Sequence, residues 1–109
     1  MVSRRINETF GEDPDLIGEL GAAMVRGYQG DGPSDRTAVL ACAKHFAGYS
    51  ETLGGRDASE ADLSPRKLRS WFLPPFERAA RAAPLNAPVL LEGESGTGKE
   101  LLARAAPIR

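Results

Sequence analysis

Cysteine is nearly absent from this chain: one residue, Cys42, in 109. A lone thiol excludes an internal disulfide, and a small free cysteine in the run Ala38-Val39-Leu40-Ala41-Cys42-Ala43 is expected to be buried as a hydrophobe. Aromatic residues are few as well, with a single tryptophan, Trp71. Charge of one sign is missing too: 14 Lys and Arg against 15 Asp and Glu leave a formal net charge of −1. No long-range positive field exists to draw in nucleic acid or an anionic membrane, so neither is an expected partner. The apolar runs fall far below a membrane span, and Met1 to Glu8 is followed by no apolar stretch of signal-peptide type. The chain thus carries no expected signal or anchor, and localisation stays open. With one histidine and one cysteine, no metal-ligand pattern is present, and no cofactor is expected.

What is present reads as ordinary globular material, 41% hydrophobic and 27% charged, made loop-rich by 12 Gly and 8 Pro. Asp13 before Pro14 has the form of a helix start, a capping carboxylate and then a residue whose missing N–H is harmless in the first turn. Leu16, Ile17, Leu20, Met24, Val25 and Tyr28 follow at helical spacing, with Gly27 and Gly30 as the stop. Gly18 and Gly21 inside that helix each cost about 1 kcal/mol relative to alanine, which implies close packing on a neighbour or dependence on tertiary support. Thr37 to Phe46 is a continuous apolar run bounded by turn residues, as expected for a strand buried on both faces of a parallel sheet. Lys44 and His45 then fall at its C-terminal end, where ligands bind in α/β sheets and barrels. An exposed edge on that strand would favour self-association.

Residues 47–62 read as a long, polar binding loop. Ser64-Pro65 opens a second helix, which Pro74-Pro75 is expected to break or restart. A third helical piece runs from Pro75 to about Ala82, with Phe76, Ala79, Ala80 and Ala83 on one side. Arg66, Lys67, Arg69, Arg78 and Arg81 look like solvated faces. Residues 84–88 form a linker. Val89-Leu90-Leu91 reads as a short strand, Gly93 to Gly98 as a loop and Lys99 to Ala106 as a helix ended by Pro107.

Five blocks carry a resemblance. They are Asn7-Glu8-Thr9-Phe10-Gly11-Glu12-Asp13-Pro14, Gly27-Tyr28-Gln29-Gly30, Lys44-His45-Phe46-Ala47-Gly48-Tyr49, Gly54-Gly55-Arg56-Asp57 and Leu73-Pro74-Pro75-Phe76. In this order, over about residues 4–83, they resemble glycoside hydrolase family 3. The resemblance implies a (β/α) barrel that cleaves terminal β-linked sugars with retention, through an Asp nucleophile and a separate Glu acid/base. It implies that Arg5, Lys44 and His45 grip sugar hydroxyls. A cation and an imidazole at a strand end suit that task, because each can hydrogen-bond several hydroxyls of one ring. Without the family, a lone Lys-His pair also reads as a polar loop end. The loop from Ser50 to Glu60 lacks the Asp-Ser-His pattern of the family's hexosaminidase branch, which favours the β-glucosidase-like branch. The family nucleophile lies downstream of the Lys-His pair, beyond the point near Ala83 where the family pattern stops. No residue of this chain takes either catalytic carboxylate role, and Asp57 reads as a loop-fixing or binding residue.

The second pattern, Gly93-Glu94-Ser95-Gly96-Thr97-Gly98-Lys99-Glu100, has P-loop spacing. Its glycines would let backbone N–H groups, aided by a helix N-terminus, meet phosphate oxygens, and Lys99 would reach the terminal phosphates. Glu100 stands where a hydroxyl would hold Mg²⁺. Over about residues 88–105 it resembles the AAA+ ATPases that activate sigma-54-dependent transcription. Gly93, Gly96, Thr97, Gly98, Lys99 and Glu100 are the implied nucleotide contacts, without a Walker B acid, sensors or an arginine finger.

The expected fold class is therefore α/β: an incomplete fragment of a (β/α)8 TIM barrel, strand plus helices, over residues 1–83, a linker at 84–88, and a short strand–P-loop–helix piece over 89–109. Three functional readings follow. The chain is an inactive β-glucosidase-like piece with a partial site for a β-linked sugar, an ATP-binding regulatory piece, or a fusion product with no function of its own.

Overall fold

The structure, a computed structural model, describes residues 6–32, 34–56 and 59–83. Its frame is two helices. The first, α1, spans Pro14–Gln29 and starts where the sequence predicts. The Asp13 carboxylate accepts from the N–H groups of Asp15 at 2.8 Å and Leu16 at 3.1 Å, satisfying donors that the first turn leaves without partners. The helix continues through Gly27 and ends only at Gly30, whose positive φ of 50° suits a residue without a Cβ.

The second helical body begins at Ser64, whose hydroxyl accepts from the Lys67 N–H at 3.2 Å. It runs through α2 (Pro65–Lys67), a wider π-type stretch (Leu68–Phe72) and α3 (Leu73–Ala82). The expected break at Pro74-Pro75 does not occur, and Leu73 is helical at φ −80° and ψ −38°. The reason lies in the widened turn. Two consecutive prolines remove two donors, and their rings crowd the carbonyls one turn earlier. The Leu73 N–H instead reaches back to Leu68 O, so the backbone opens just before the prolines and then closes into α3.

α3 packs against α1 through small residues. Ala22 and Val25 from α1 and Ala79 from α3 are the buried apolar side chains among the described residues. Gly18, on the same stripe of α1, admits the Arg78 side chain so closely that a Cβ there would lie 2.6 Å from Arg78 Cδ. Arg78 is thus not part of a merely solvated face. It donates to Asp15 O at 3.0 Å, Glu19 Oε1 at 3.0 Å and Asp15 Oδ1 at 2.5 Å, tying α3 to the first turn and a half of α1. Lys67 likewise has a partner, Glu51 Oε2 at 2.5 Å. Both of its side chains remain partly exposed, so this pair contributes up to about 1 kcal/mol.

Two expectations fail on burial. The opposite stripe of α1, Leu16, Leu20, Met24 and Tyr28, is exposed although its spacing suggested core. Thr37 to Phe46 forms no strand, and Leu40 is 74% exposed. A parallel strand is held by neighbours along its edges, and none runs beside this segment among the described residues. Cys42 is accordingly exposed and not buried. The expected sheet edge for self-association is absent from these residues. The one β-type pairing they show is an isolated antiparallel bridge between Thr52 and Ala61.

Candidate functional site

The segment leading to Lys44 and His45 is tied to the C-terminal end of α1. Helix ends leave carbonyls without intrahelical donors. Here Gln29 O takes the Gly32 N–H at 3.1 Å and Tyr28 O takes the Val39 N–H at 2.8 Å. The Gln29 side chain, 7% exposed, accepts from the Ala41 N–H through Oε1 at 3.3 Å.

The turn between helix and segment is organised by Asp35. Its Oδ1 accepts from the Thr37 N–H at 2.8 Å and the Thr37 hydroxyl at 2.7 Å, while its other oxygen lies against the Cα side of Gly30. Those hydrogen bonds from Thr37 stabilise the ionised form and hold the Asp35 carboxyl below its ordinary pKa. The sign follows directly. A depressed folded-state pKa contributes stability above the unfolded value and loses it as pH falls through the folded one. The turn is therefore expected to loosen only below about pH 4. A carboxyl NMR titration checks this: Thr37→Val should move the Asp35 midpoint upward, and an unmoved midpoint would refute the assigned cause.

Lys44 and His45 are joined by a cis peptide and both are exposed. The His45 ring stacks on Tyr49, with centroids 5.0 Å apart and planes inclined by 26°. The next residue, Phe46, meets Phe76 of α3 edge-on at 5.1 Å, which fastens the segment to the helical frame. Gly48 turns the chain at φ 91°, with the Leu63 side chain seated where a Cβ would project.

Beyond it, two 3₁₀ turns, Tyr49–Glu51 and Leu53–Gly55, form the loop. Leu53 N–H donates to Glu60 O at 2.9 Å, and the Ser59 hydroxyl lies 3.1 Å from both Leu53 O and Arg56 O. Among its described residues the loop predicted to bind is thus locally cross-linked, and Gly55 within it is buried.

Of the sequence-predicted site residues, Lys44 and His45 stand together at the head of this loop. Arg5 and Asp57 lie outside the described residues, as do Gly93, Gly96, Thr97, Gly98, Lys99 and Glu100. Tyr49 joins the site as the ring beneath His45, a role the sequence could have signalled by an aromatic four residues after the histidine. Gln29 was not singled out as a site residue, because nothing local distinguishes a glutamine at a helix end from a solvated one.

Chemically, the segment offers a cation and an imidazole at adjacent exposed positions, the imidazole backed by an aromatic ring. Both are hydrogen-bonding groups. Several carboxylates are engaged elsewhere: Asp13 in the helix cap, Asp15 and Glu19 on Arg78, and Glu51 on Lys67. Among the described residues no group of three or more His, Cys, Asp or Glu is placed to hold a metal ion, and no helix is long and apolar enough to cross a membrane.

Comparison with known proteins covers most of the chain. The sequence profile of the glycosyl hydrolase family 3 N-terminal domain matches residues 2–91. A β-xylosidase of Formosa agariphila is 44% identical over 81 residues, 72% of this chain and 11% of that protein. A lysosomal β-glucosidase of Dictyostelium discoideum is 42% identical over 95 residues, 83% of this chain and 12% of that protein. The solved β-glucosidase of Listeria innocua, in complex with isofagomine, superposes with a TM-score of 0.69 at 40% identity, covering 73% of this chain and 12% of that one. The chain thus spans roughly a tenth of the length of these relatives.

Proposed function

Since this chain belongs to glycosyl hydrolase family 3, matching its N-terminal domain, we propose that it supplies part of the sugar-gripping surface of a β-glucosidase-like hydrolase acting on terminal β-linked sugars. The observation that carries the reading is the exposed Lys44-His45 pair, with the His45 ring backed by Tyr49 at 5.0 Å. Lys44 donates to ring hydroxyls as a point charge. His45 donates or accepts according to tautomer, and its stacking on Tyr49 limits where the ring can turn. Hydroxyl contacts of this kind lower a glycosidic barrier when they tighten in the transition state. Arg5, by resemblance, is the third member of the grip. Residues 1–83 serve as the barrel segment in this reading; the expected linker at 84–88 and the expected piece over 89–109 lie outside the described residues.

Cleavage is a separate matter. Retaining hydrolysis needs two carboxylates about 5 Å apart across the scissile bond, and this reading gives no residue of the chain either role. The 109-residue chain is expected to bind without turning over. Isofagomine, the ligand of the Listeria relative, is the probe. Titrated into isotope-labelled chain, it should shift the His45 and Tyr49 resonances at millimolar concentration. Lys44→Ala and His45→Ala should each weaken binding about tenfold, as expected for a charge-assisted or buried hydrogen bond to a ligand. Unperturbed His45 resonances at saturating probe would sink the reading. So would hydrolysis of an aryl β-glucoside by the pure chain, since that needs carboxylates the reading does not assign.

A further inference from the structure

We infer that Gln29 is a positioning residue for the Lys44-His45 pair, an inference that rests on the sugar-gripping role proposed above. Gln29 lies on the α1 stripe of Gly18, Ala22 and Val25, all buried. An apolar side chain there would fill the space without the desolvation that a buried amide suffers. That desolvation is only half offset. Oε1 accepts from the Ala41 N–H at 3.3 Å, while Nε2 is buried with no hydrogen-bond partner among the described residues. The single bond the amide makes therefore accounts for its place in the seam.

Where that bond falls matters. Val39 and Ala41 are the last residues before the pair whose N–H groups are held by α1, Val39 on Tyr28 O and Ala41 on Gln29 Oε1. On the far side, Phe46 is held by Phe76. Lys44 and His45 thus sit between two anchors, and Gln29 is the nearer one on the N-terminal side that depends on a side chain. Removing its acceptor frees Ala41 and lets the pair drift relative to Tyr49, which the helix bonds alone do not prevent.

Two variants separate this from simple packing. Gln29→Met keeps length and volume but removes the acceptor; Gln29→Glu, compared with the parent at about pH 5, where burial keeps its carboxyl protonated, keeps a neutral acceptor oxygen. In the unmutated chain, the Ala41 amide should be protected from hydrogen exchange; an unprotected amide overturns the proposal without any variant. Gln29→Met should speed Ala41 exchange at least tenfold, move the His45 ring resonances and weaken isofagomine binding about tenfold. At about pH 5, with its carboxyl neutral, Gln29→Glu should stay within threefold of the parent in each. Protection at Gly30, whose N–H bonds Arg26 O at 2.9 Å, should survive in both variants, showing that α1 is intact. If Gln29→Met speeds exchange at Ala41 yet leaves the His45 resonances unmoved, Gln29 is packing only and the proposal fails. If the unmutated chain does not bind isofagomine, the sugar reading fails. The exchange rate and the His45 shifts, measured without ligand, still decide whether Gln29 positions the pair.

Discussion

Replacing Ala79 by aspartate is expected to detach α3 from α1 and abolish cooperative unfolding. Ala79, 8% exposed, faces Ala22 and Val25 in a core that holds these three buried apolar side chains among the described residues. A carboxylate placed there is taken from water into the seam between the helices. Arg78, the neighbouring residue, is already committed to Asp15 and Glu19. Burying an unpaired charge costs several kcal/mol even after the surroundings relax, and a small domain has a margin of only about 5 kcal/mol. A destabilisation of about 3 kcal/mol or more would therefore remove most of the folded population.

Urea unfolding followed by far-UV circular dichroism is the appropriate measurement. Trp71 is 52% exposed, so its fluorescence follows the core only weakly. The matched control is Ala23→Asp, on the exposed side of α1, which should lower stability only by the helix-propensity difference of about 0.7 kcal/mol. Equal effects from the two substitutions would show that the α1–α3 seam is not what stabilises the chain.

Gly48→Ala is the second large effect, and it acts on the site. Two penalties coincide at this position. A residue with a Cβ is disfavoured at φ 91° by roughly 1–2 kcal/mol. The new methyl would also land on the Leu63 side chain, which leads directly into the Ser64 cap of α2. The expected loss is about 2–3 kcal/mol, the sum of backbone strain and overpacking of one methyl group. The Leu63 side chain must shift to admit the methyl, and Tyr49 is next in the chain to the strained residue, so the His45–Tyr49 stack should loosen as well. Loss of ring-to-ring NOEs between His45 and Tyr49 would report it.

Gly21→Ala gives the opposite sign and tests the reasoning. A Cβ at Gly21 meets nothing within 4 Å, so the gain in helix propensity of about 1 kcal/mol is unopposed. If both substitutions destabilise alike, glycine content as such matters and the geometry at Gly48 does not.

The same contrast shows where sequence reading succeeds and fails in this molecule. Asp13-Pro14 and Ser64-Pro65 each set a helix start, because a cap is a bond between a side chain and backbone groups two or three residues away. No distant part of the chain is needed to form it. The Pro74-Pro75 pair misled, because proline rules describe a regular helix and the π-type turn at Leu68–Phe72 gives the backbone another way past it. Arg78 misled because its partners Asp15 and Glu19 are about sixty positions away in sequence, where no local pattern can show them. Leu16, Ile17, Leu20, Met24, Val25 and Tyr28 recur at helical spacing on α1, but that spacing does not say which of them a neighbour would cover. Packing on α3 buried Val25 and left Leu20 and Met24 open.

Family membership and the identity of the Lys44-His45 pair were legible in the sequence alone. They reside in ordered blocks of residues whose types and spacing persist whether or not a sheet surrounds them. Helix starts and the turn glycines were equally local. The tertiary structure alone decided that Thr37 to Phe46 joins no sheet among the described residues, that Cys42 is exposed and that Gln29 holds Ala41. It alone decided that Tyr49 backs His45 and that Phe46 rests on Phe76. Those facts depend on which surfaces meet. Burial and hydrogen bonding between segments are set by the neighbours the folded chain brings together, not by the residues of any one segment.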